Sequence, residues 1–378
     1  MDKARILLVG CGGIGCIAAL NLEFGGRAEV TAVLRSSYQI VKERGFTINS
    51  VDHGQILSFR PTEILPSIPD ASKSSISPFD YIICATKNIP VISTPVADLI
   101  RPAVTAGHTT ILLLQNGLNI QVPVQEAFPD NVILSGISMC GSSEPKSGII
   151  EHNLHDELRI GPFEDSGNAA ERAKDLVARF NAGGRCTCHY DDNVTFSRWK
   201  KLLYNAVYNP VGALTRLDTG DMQLCPGLVD EVIRPGMKEI QAAAAAYGQE
   251  LTDEMVEATI VTEPIDAHVS PSMLIDVRKV SVLSPCLPTR HLMTPPFSAH
   301  PYKHTIAMIH MLSTFLTQKK TVLNLPQEQY IEVENLLGEP LRAAQARRVP
   351  TPILQNHYSL ASSYQWKLHS KKDVSETR

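Results

Sequence analysis

The segment GCGGIG, at residues 10–15, constrains the fold of this chain more than any other feature. It follows a short apolar run, ARILLVG (4–10), and leads directly into a helix-like segment, IGCIAALNLEFGG (14–26). A second apolar run, EVTAVLR (29–35), comes next. Strand, glycine loop, helix and strand in this order are typical of the first βαβ unit of a doubly wound sheet. We therefore predict an α/β, Rossmann-type N-terminal domain.

The spacing of the glycines in this loop matches GxGxxG and indicates a dinucleotide site. Gly10 permits the tight turn, Gly12 lets the backbone approach a pyrophosphate, and Gly15 lets helix and strand pack closely. The helix that follows presents free N–H groups to the anion at its N-terminus. The alternative is a glycine-rich turn without a ligand. The residues that we expect to bind the cofactor here are Gly10, Cys11, Gly12, Gly13, Ile14 and Gly15.

The end of the second strand favours NADP(H) over NAD(H). An NAD site places an acidic residue there to hold the ribose 2′-hydroxyl, whereas this chain has Arg35 followed by Ser36 and Ser37. A guanidinium with hydroxyl groups beside it suits a 2′-phosphate. The other interpretation is that Arg35 is a solvated loop charge.

Three further strand-like runs follow, DYIICATK (80–87), TTILLLQNG (109–117) and VILSGI (132–137). Ligands of doubly wound sheets bind at the carboxyl ends of the strands, so Lys87 and Asn116 are predicted to face the cofactor. Each of the two could equally be an ordinary turn residue.

From residue 192 the pattern becomes helical, and we predict two domains, 1–191 and 192–378. The helix that opens the second domain contains WKKLLYNAVYNP, in which Lys201, Asn205 and Asn209 are four residues apart. Each step of four turns about 40° around a helix, so the three side chains form one polar stripe. Pro210 is expected to end or kink this helix just after Asn209. The stripe faces either a ligand in the interdomain cleft or partners within the helical domain.

Composition excludes several classes of protein. The net charge is −4 and no block of five basic residues occurs, so we expect neither nucleic acid nor a membrane surface as a partner. No window approaches the roughly 20 apolar residues of a membrane span. The eight cysteines form no CxxC pair. Reduced thiols and a cytoplasmic location without a signal peptide are the expectation.

Two further segments, PSMLIDVR (271–278) and IEVENLLGEPLRAA (331–344), complete a pattern with the glycine loop and the lysine–asparagine–asparagine helix. Together, and in this order, they resemble the ketopantoate reductase (2-dehydropantoate 2-reductase) family. The resemblance covers nearly the whole chain outside one insertion. It implies an all-α C-terminal domain of the kind found in 6-phosphogluconate dehydrogenase.

The resemblance also implies catalytic and substrate-binding roles. Lys201 matches the general acid of the family, and Asn205 and Asn209 match asparagines that hold the substrate. Ser272 matches a serine that contacts the substrate, at its carboxylate by our interpretation. Thr219 is a departure, because the family often has asparagine at this position, and its substrate contact is a weaker expectation.

For the cofactor, the resemblance supports the prediction for Lys87 and Asn116. It also places Glu332 near the cofactor ribose and the catalytic site, so Glu332 is predicted to be both a catalytic and a cofactor-binding residue. The predicted function is NADPH-dependent reduction of 2-dehydropantoate to (R)-pantoate, with the proton from Lys201. Alternatives are a reductase of another ketone or 2-oxo acid, and a non-catalytic NADP-binding sensor. The expected partner is thus a small 2-oxo acid, and a homodimer is left open.

One segment, residues 280–327, does not fit the pattern. Its 48 residues contain six prolines and four of the twelve histidines but no Asp or Glu. Removing it brings Asp276 and Glu332 to a separation of eight, as the family requires. Val280-Ser281 and Gln327 can be encoded by splice-donor and splice-acceptor sequences. We therefore predict a translated intron, and no metal site at its histidines 291, 300, 304 and 310.

Overall fold

The computed structural model describes residues 3–73, 77–90, 93–278 and 330–376 of the chain. An α/β part comes first, and a helical part that begins at Val194 follows it. The predicted fold class is confirmed. Within the described ranges, no helix is both long enough and apolar enough to cross a membrane.

In the described ranges, twelve strands form two sheets. They are β1 (Ala4–Val9), β2 (Ala28–Val33), β3 (Phe46–Ser50), β4 (Gly54–Phe59), β5 (Glu63–Leu65), β6 (Tyr81–Cys84), β7 (Thr110–Leu113), β8 (Ile133–Ser138), β9 (Gly141–Lys146), β10 (Ile149–Leu154), β11 (Glu157–Pro162) and β12 (Thr187–Tyr190). The main sheet has the order β12-β11-β8-β7-β6-β1-β2-β5, and the smaller sheet has the order β4-β3-β10-β9.

The main sheet is parallel from β5 to β8, and only the β8–β11 pair in it is antiparallel. Val9 at the end of β1 pairs in register with Val33 of β2 and with Cys84 of β6. These three strands therefore end at the same edge. The chain order reverses between β1 and β6, and such a reversal opens a ligand crevice at the carboxyl ends of the strands.

Helices cover both faces of the main sheet. They are α1 (Gly13–Phe24), α2 (Tyr38–Arg44), α3 (Val96–Ile100), α4 (Val122–Ala127) and α5 (Ala169–Asn181), with a short 3₁₀ turn at Arg101–Ala103. Side chains alternate between two apolar layers along β1, with Ile6 and Leu8 in one layer and Leu7 and Val9 in the other. All four are buried, which explains the unbroken apolar run of a strand covered on both sides.

The smaller sheet was missed by the sequence analysis. Strands β10 and β11 follow each other in the chain, but they pair with different partners. β10 is antiparallel to β9 in the smaller sheet, and β11 is antiparallel to β8 in the main sheet. Strand β4 is largely exposed, so it lacks the apolar run that revealed the buried strands.

The helical part consists of eight α-helices in the described ranges. They are α6 (Val194–Asn205), α7 (Tyr208–Thr215), α8 (Thr219–Leu224), α9 (Arg234–Ala245), α10 (Asp253–Ile260), α11 (Ser272–Arg278), α12 (Glu339–Ala346) and α13 (Pro352–Glu376), with a 3₁₀ turn at Ile265–Ala267. Single π-helical turns, Val229–Ile233 and Glu334–Gly338, lead into α9 and α12. Each lies just before a proline in the first turn of the next helix, where the ring cannot donate a backbone hydrogen bond.

The prediction that Pro210 ends or kinks the helix just after Asn209 was wrong. The break comes earlier, at Ala206 and Val207, and α7 continues through Pro210 to Thr215. Pro210 falls in the first turn of α7, where a missing N–H removes no intrahelical hydrogen bond. Asn193 caps α6, because its side chain accepts a hydrogen bond from the Phe196 N–H at 3.0 Å.

The segment at 280–327 lies outside the described residues, and so do its four histidines. Its interpretation as a translated intron stays a prediction. The division of the chain into 1–191 and 192–378 likewise remains our proposal.

Candidate active site

The glycine loop joins the end of β1 to the start of α1 and has the geometry of a phosphate cradle. Gly10 has a φ of +92°, and a Cβ there would lie 2.7 Å from the Thr86 nitrogen. A Cβ on Gly15 would lie 2.0 Å from the Gly10 carbonyl oxygen. A Cβ on Gly12, in contrast, would meet only a Glu144 oxygen, at 3.9 Å. Two glycines therefore permit the turn and its packing, while Gly12 leaves an open surface.

The first turn of α1 fits a negatively charged group. No side chain caps this helix at Gly12, and its first turn carries no acidic residue. The leading N–H groups of the helix are thus left for another acceptor, and the helix dipole favours an anion there. A pyrophosphate suits both features. The residues of the loop therefore fit the dinucleotide that the sequence predicts.

Arg35 follows β2, and Ser36 and Ser37 follow it. Because Val33 pairs with Val9, this turn lies at the same sheet edge as the glycine loop. The Arg35 and Ser36 side chains are exposed, whereas Ser37 is buried at the start of α2. A group bound at the glycine loop could extend along this edge to an exposed guanidinium.

Lys87 lies beyond the end of β6 and forms an ion pair with Asp276 of α11. The next residue, Asn88, donates its backbone N–H to Glu332 Oε1 at 2.9 Å. These contacts join the α/β part to two segments of the helical part. Asp276 was missed as a site residue, although it lies four residues after Ser272 and therefore on the same face of α11. The cofactor contact of Lys87 stays a prediction.

The side chains of the polar stripe stay close together although the helix is broken between α6 and α7. Asn209 donates to Asn205 Oδ1 at 3.3 Å, and the Ser272 hydroxyl donates to Asn209 Oδ1 at 3.2 Å. Lys201 donates its Nζ proton to the carbonyl of Ser138, at the end of β8. Asn205 and Asn209 are both buried. Asn205, Asn209 and Ser272 therefore form one hydrogen-bonded group, and Lys201 lies one helical turn before Asn205.

A small cavity lies between this stripe and the carboxyl ends of β7 and β8. The cavity is bordered by Asn116, which is predicted to contact the cofactor, and by Lys201, the predicted proton donor. Its lining consists of Gln115, Asn116, Gly117, Gly136, Ile137, Arg198, Lys201, Leu202 and Asn205.

Two titratable groups at the site have strongly altered proton affinities. The pKa of Lys201 is lowered to about 8, first by burial and then by the charge of Arg198, while the charge of Glu332 opposes this shift. The pKa of Glu332 is raised to about 7, mainly by burial, although Lys87 and the Asn88 N–H oppose the change. Lys201 is therefore mostly protonated at neutral pH and close to the range in which it can release a proton.

Thr219 is not one of the residues that line this cavity. It lies in the first turn of α8, its backbone N–H donates to the Val269 carbonyl at 2.9 Å, and its side chain is buried. The Thr219 hydroxyl has no hydrogen-bond partner among the described residues. Its contact with the substrate stays a prediction.

Asp218, Asp221 and His268 have possible ligand atoms within 4.8 Å of one another. Asp218 accepts a hydrogen bond from the Asp221 N–H at 2.9 Å and is the cap of α8. His268 Nδ1 lies 3.1 Å from the same carboxylate. A capped helix end with an adjacent histidine accounts for the cluster, and it gives no reason to propose a metal.

The site also contains Arg198, which the sequence analysis missed. It lies on α6 three residues before Lys201, is 5% exposed, and borders the same cavity. The only signal in the sequence was its position one helical turn from the lysine.

Sequence profiles of known families match both parts of the chain. The profile described as ketopantoate reductase PanE/ApbA matches residues 6–165, and its C-terminal counterpart matches residues 193–283. An uncharacterized protein of Saccharomyces cerevisiae is 31% identical, over 98% of this chain and 96% of its own length.

Solved structures give the same result. The 2-dehydropantoate 2-reductase from Methylococcus capsulatus has 28% identity and a TM-score of 0.68, covering 96% of this chain and 97% of that one. A D-mandelate dehydrogenase in complex with NADH and anilino(oxo)acetate has a TM-score of 0.72 at 17% identity, over 97% of this chain and 99% of its own. The second likeness concerns the fold alone.

Proposed function

The chain belongs to the ketopantoate reductase family of oxidoreductases, which bind a nicotinamide cofactor, and we propose that it reduces 2-dehydropantoate to (R)-pantoate with NADPH. One observation carries this proposal. The Lys201 ammonium lies in a buried cavity next to the amides of Asn205 and Asn116, at the sheet edge that holds the glycine loop. A proton donor, carboxylate-binding groups and a cofactor cradle are what reduction of a 2-oxo acid requires.

Each group in the cavity has a distinct chemical task. The nicotinamide cofactor supplies the hydride. Lys201 Nζ stabilises the negative charge that develops on the ketone oxygen and then donates a proton to it. The amide of Asn205 donates hydrogen bonds to the substrate without adding a second titrating cation, and Ser272 is proposed to contact the substrate carboxylate.

The polar neighbours of the stripe keep these groups in place. Ser272 donates a hydrogen bond to Asn209, and Asn209 donates one to Asn205. The amide of Asn205 is therefore held by a chain of two hydrogen bonds. Glu332 favours the protonated form of Lys201 and, through the Asn88 N–H, fixes the segment after β6. We propose that this carboxylate also contacts the cofactor ribose.

NADPH selectivity is proposed to depend on Arg35. We expect Arg35→Gln to raise the KM for NADPH by about tenfold, because one charge-assisted contact to the 2′-phosphate is lost. The KM for NADH should change little. Arg44→Gln, an exposed arginine at the other end of α2, is the matched control and should change neither value. Initial-rate kinetics with both cofactors measure the two KM values. Equal increases in the KM for NADPH and for NADH would contradict the assignment.

The pH dependence should follow the protonation of Lys201. Because the ammonium form donates the proton, kcat/KM for reduction is expected to be flat below pH 8 and to fall above it, near the lowered pKa of Lys201. Glu332 favours the ammonium, so Glu332→Gln should move this fall to lower pH. A profile of kcat/KM against pH for both proteins checks this. A fall that moves upward in Glu332→Gln would refute the proposed electrostatic link.

The substrate assignment is tested by NADPH oxidation with a panel of 2-oxo acids. We expect 2-dehydropantoate to be preferred by at least about tenfold in kcat/KM over an aryl 2-oxo acid such as phenylglyoxylate. Thr219 favours the second candidate, a reductase of a different 2-oxo acid, because its buried hydroxyl offers less hydrogen bonding than an amide. Preference for another acid would support that candidate. NADPH binding without turnover of any acid would indicate a sensor.

A further inference from the structure

The guanidinium of Arg198 is buried, and all its hydrogen-bond acceptors are uncharged. Nη1 donates to the carbonyls of Gln115 at 3.2 Å and of Gly117 at 2.8 Å, and Nη2 donates to the carbonyl of Leu113 at 3.3 Å. Nε donates to the Ser135 hydroxyl at 2.9 Å. The guanidinium carbon also lies 5.0 Å from the centre of the Phe163 ring.

These acceptors surround Asn116 in the chain. Leu113 ends β7, and Gln115 and Gly117 are the two neighbours of Asn116, so one side chain fixes the backbone on both sides of that amide. The far side of the loop is held as well, because the Leu118 N–H donates to the Asn335 carbonyl at 3.0 Å. Gly117 has a φ of +105°, and a Cβ there would lie 2.6 Å from the same carbonyl oxygen. The position of Asn116 is thus determined by contacts on both sides.

The charge of Arg198 has no close counter-ion in the described ranges of the chain. A buried cation ordinarily pairs with a carboxylate, since taking a charge out of water is costly. No carboxylate in these ranges lies within 4.0 Å of its nitrogens, and the charge of Asp191 acts on it from beyond that distance. Burial lowers the pKa of Arg198 to about 9, so the group stays protonated at pH 7. An apolar side chain could occupy this volume without that cost.

Lys201 is the group on which this charge acts. The two residues are three positions apart on α6, so they lie on the same face of the helix, and both border the same cavity. The positive field of Arg198 disfavours the ammonium form of Lys201, which makes the proton easier to release.

We infer that Arg198 is a positioning residue of the reduction: its guanidinium fixes the Asn116 loop, and its unpaired charge tunes Lys201 as a proton donor. The second half of this inference rests on the proposed function. The first half rests instead on the predicted cofactor contact of Asn116 and is independent of the substrate.

The test uses the full chain and two variants of Arg198. Arg198→Met keeps the apolar stem but removes the charge and all donors, and Arg198→Lys keeps one cation without the planar fork. Lys200→Met, an exposed lysine on the same helix, is the control. The readouts are the Kd for NADPH without substrate and the NMR titration of the Lys201 ammonium in the cofactor-free protein.

We expect both Arg198 variants to bind NADPH about tenfold more weakly. Methionine has no donor, and the three donors of a lysine ammonium on a shorter stem cannot satisfy all four acceptors that the guanidinium holds. In Arg198→Met, the Lys201 titration should move up by about one pH unit, and in Arg198→Lys it should lie between that value and the wild type. Lys200→Met should change neither readout. These measurements need no turnover, so they decide the inference even if the substrate assignment fails.

Unchanged NADPH affinity in both Arg198 variants, or an unmoved Lys201 titration in folded Arg198→Met, would overturn the inference and leave Arg198 as a packing residue. Circular dichroism and thermal unfolding establish that each variant is folded. If Arg198→Met does not fold, the Arg198→Lys variant decides: NADPH affinity within about twofold of the wild type would refute the positioning role.

Discussion

Replacement of Lys201 by alanine is expected to lower kcat/KM for the 2-oxo acid by about a thousandfold, within the range of 10² to 10⁴ typical of general acid catalysis. This corresponds to about 4 kcal/mol of transition-state stabilisation. The physical reason is that, among the described residues that line the cavity, no other cation can donate a proton at this position, since Arg198 is committed to carbonyls and a hydroxyl. Affinity for NADPH should change little.

The matched control is Lys200→Ala. Lys200 is adjacent in sequence but exposed, about 100° away around α6, and is expected to contribute nothing to the reaction. Steady-state kinetics and NADPH binding on both variants make the comparison. A Lys201→Ala enzyme with a kcat/KM within about fivefold of the wild type would remove the lysine from the mechanism.

The second large effect is expected from substitutions in the glycine loop. Two of its glycines distinguish an effect on NADPH binding from an effect on folding. We expect Gly12→Ala to weaken NADPH binding by roughly 10- to 100-fold, because a methyl group blocks the backbone N–H contacts to the pyrophosphate. The fold should be unaffected, since φ −80° and ψ −156° suit alanine and a Cβ there meets only one side-chain oxygen, at 3.9 Å. Fluorescence titration with NADPH and thermal unfolding measure the two properties.

Gly15→Ala, in contrast, should mainly lower the stability of the fold. Its Cβ would lie 2.0 Å from the Gly10 carbonyl oxygen, which belongs to the backbone and cannot move aside easily. We expect a loss of about 3 kcal/mol in the free energy of unfolding, as for an overpacked core. Normal NADPH affinity in a stable Gly12→Ala protein would mean that the pyrophosphate binds elsewhere. An unchanged Tm in Gly15→Ala would contradict the described packing of α1 on β1.

The part of the fold that could be predicted is the part in which local sequence and tertiary structure agree. The β1–α1–β2 unit was readable because both strands are buried on two faces and the glycines have strict steric requirements. Strands β3 and β4 were not readable. One face of that sheet is exposed, and β3 pairs in parallel with β10, about 100 residues later in the chain.

The candidate site was predictable where helical spacing determines which side chains meet. Lys201, Asn205 and Asn209 have that spacing, and they remain in one group despite the break at Ala206. Two other members could not be found in this way. Asp276 belongs to the site because it forms an ion pair with Lys87, and Arg198 belongs to it because it binds carbonyls after β7. Both contacts form only when the two parts of the chain pack together.

The most direct test of the proposed reaction follows the transferred hydrogen. The full chain is incubated with 2-dehydropantoate and NADPH that carries deuterium at the transferable C4 position, and the product is examined by NMR. We predict deuterium at carbon 2 of (R)-pantoate and loss of this product in Lys201→Ala. Formation of no deuterated pantoate by a folded protein that binds NADPH would contradict the proposed function.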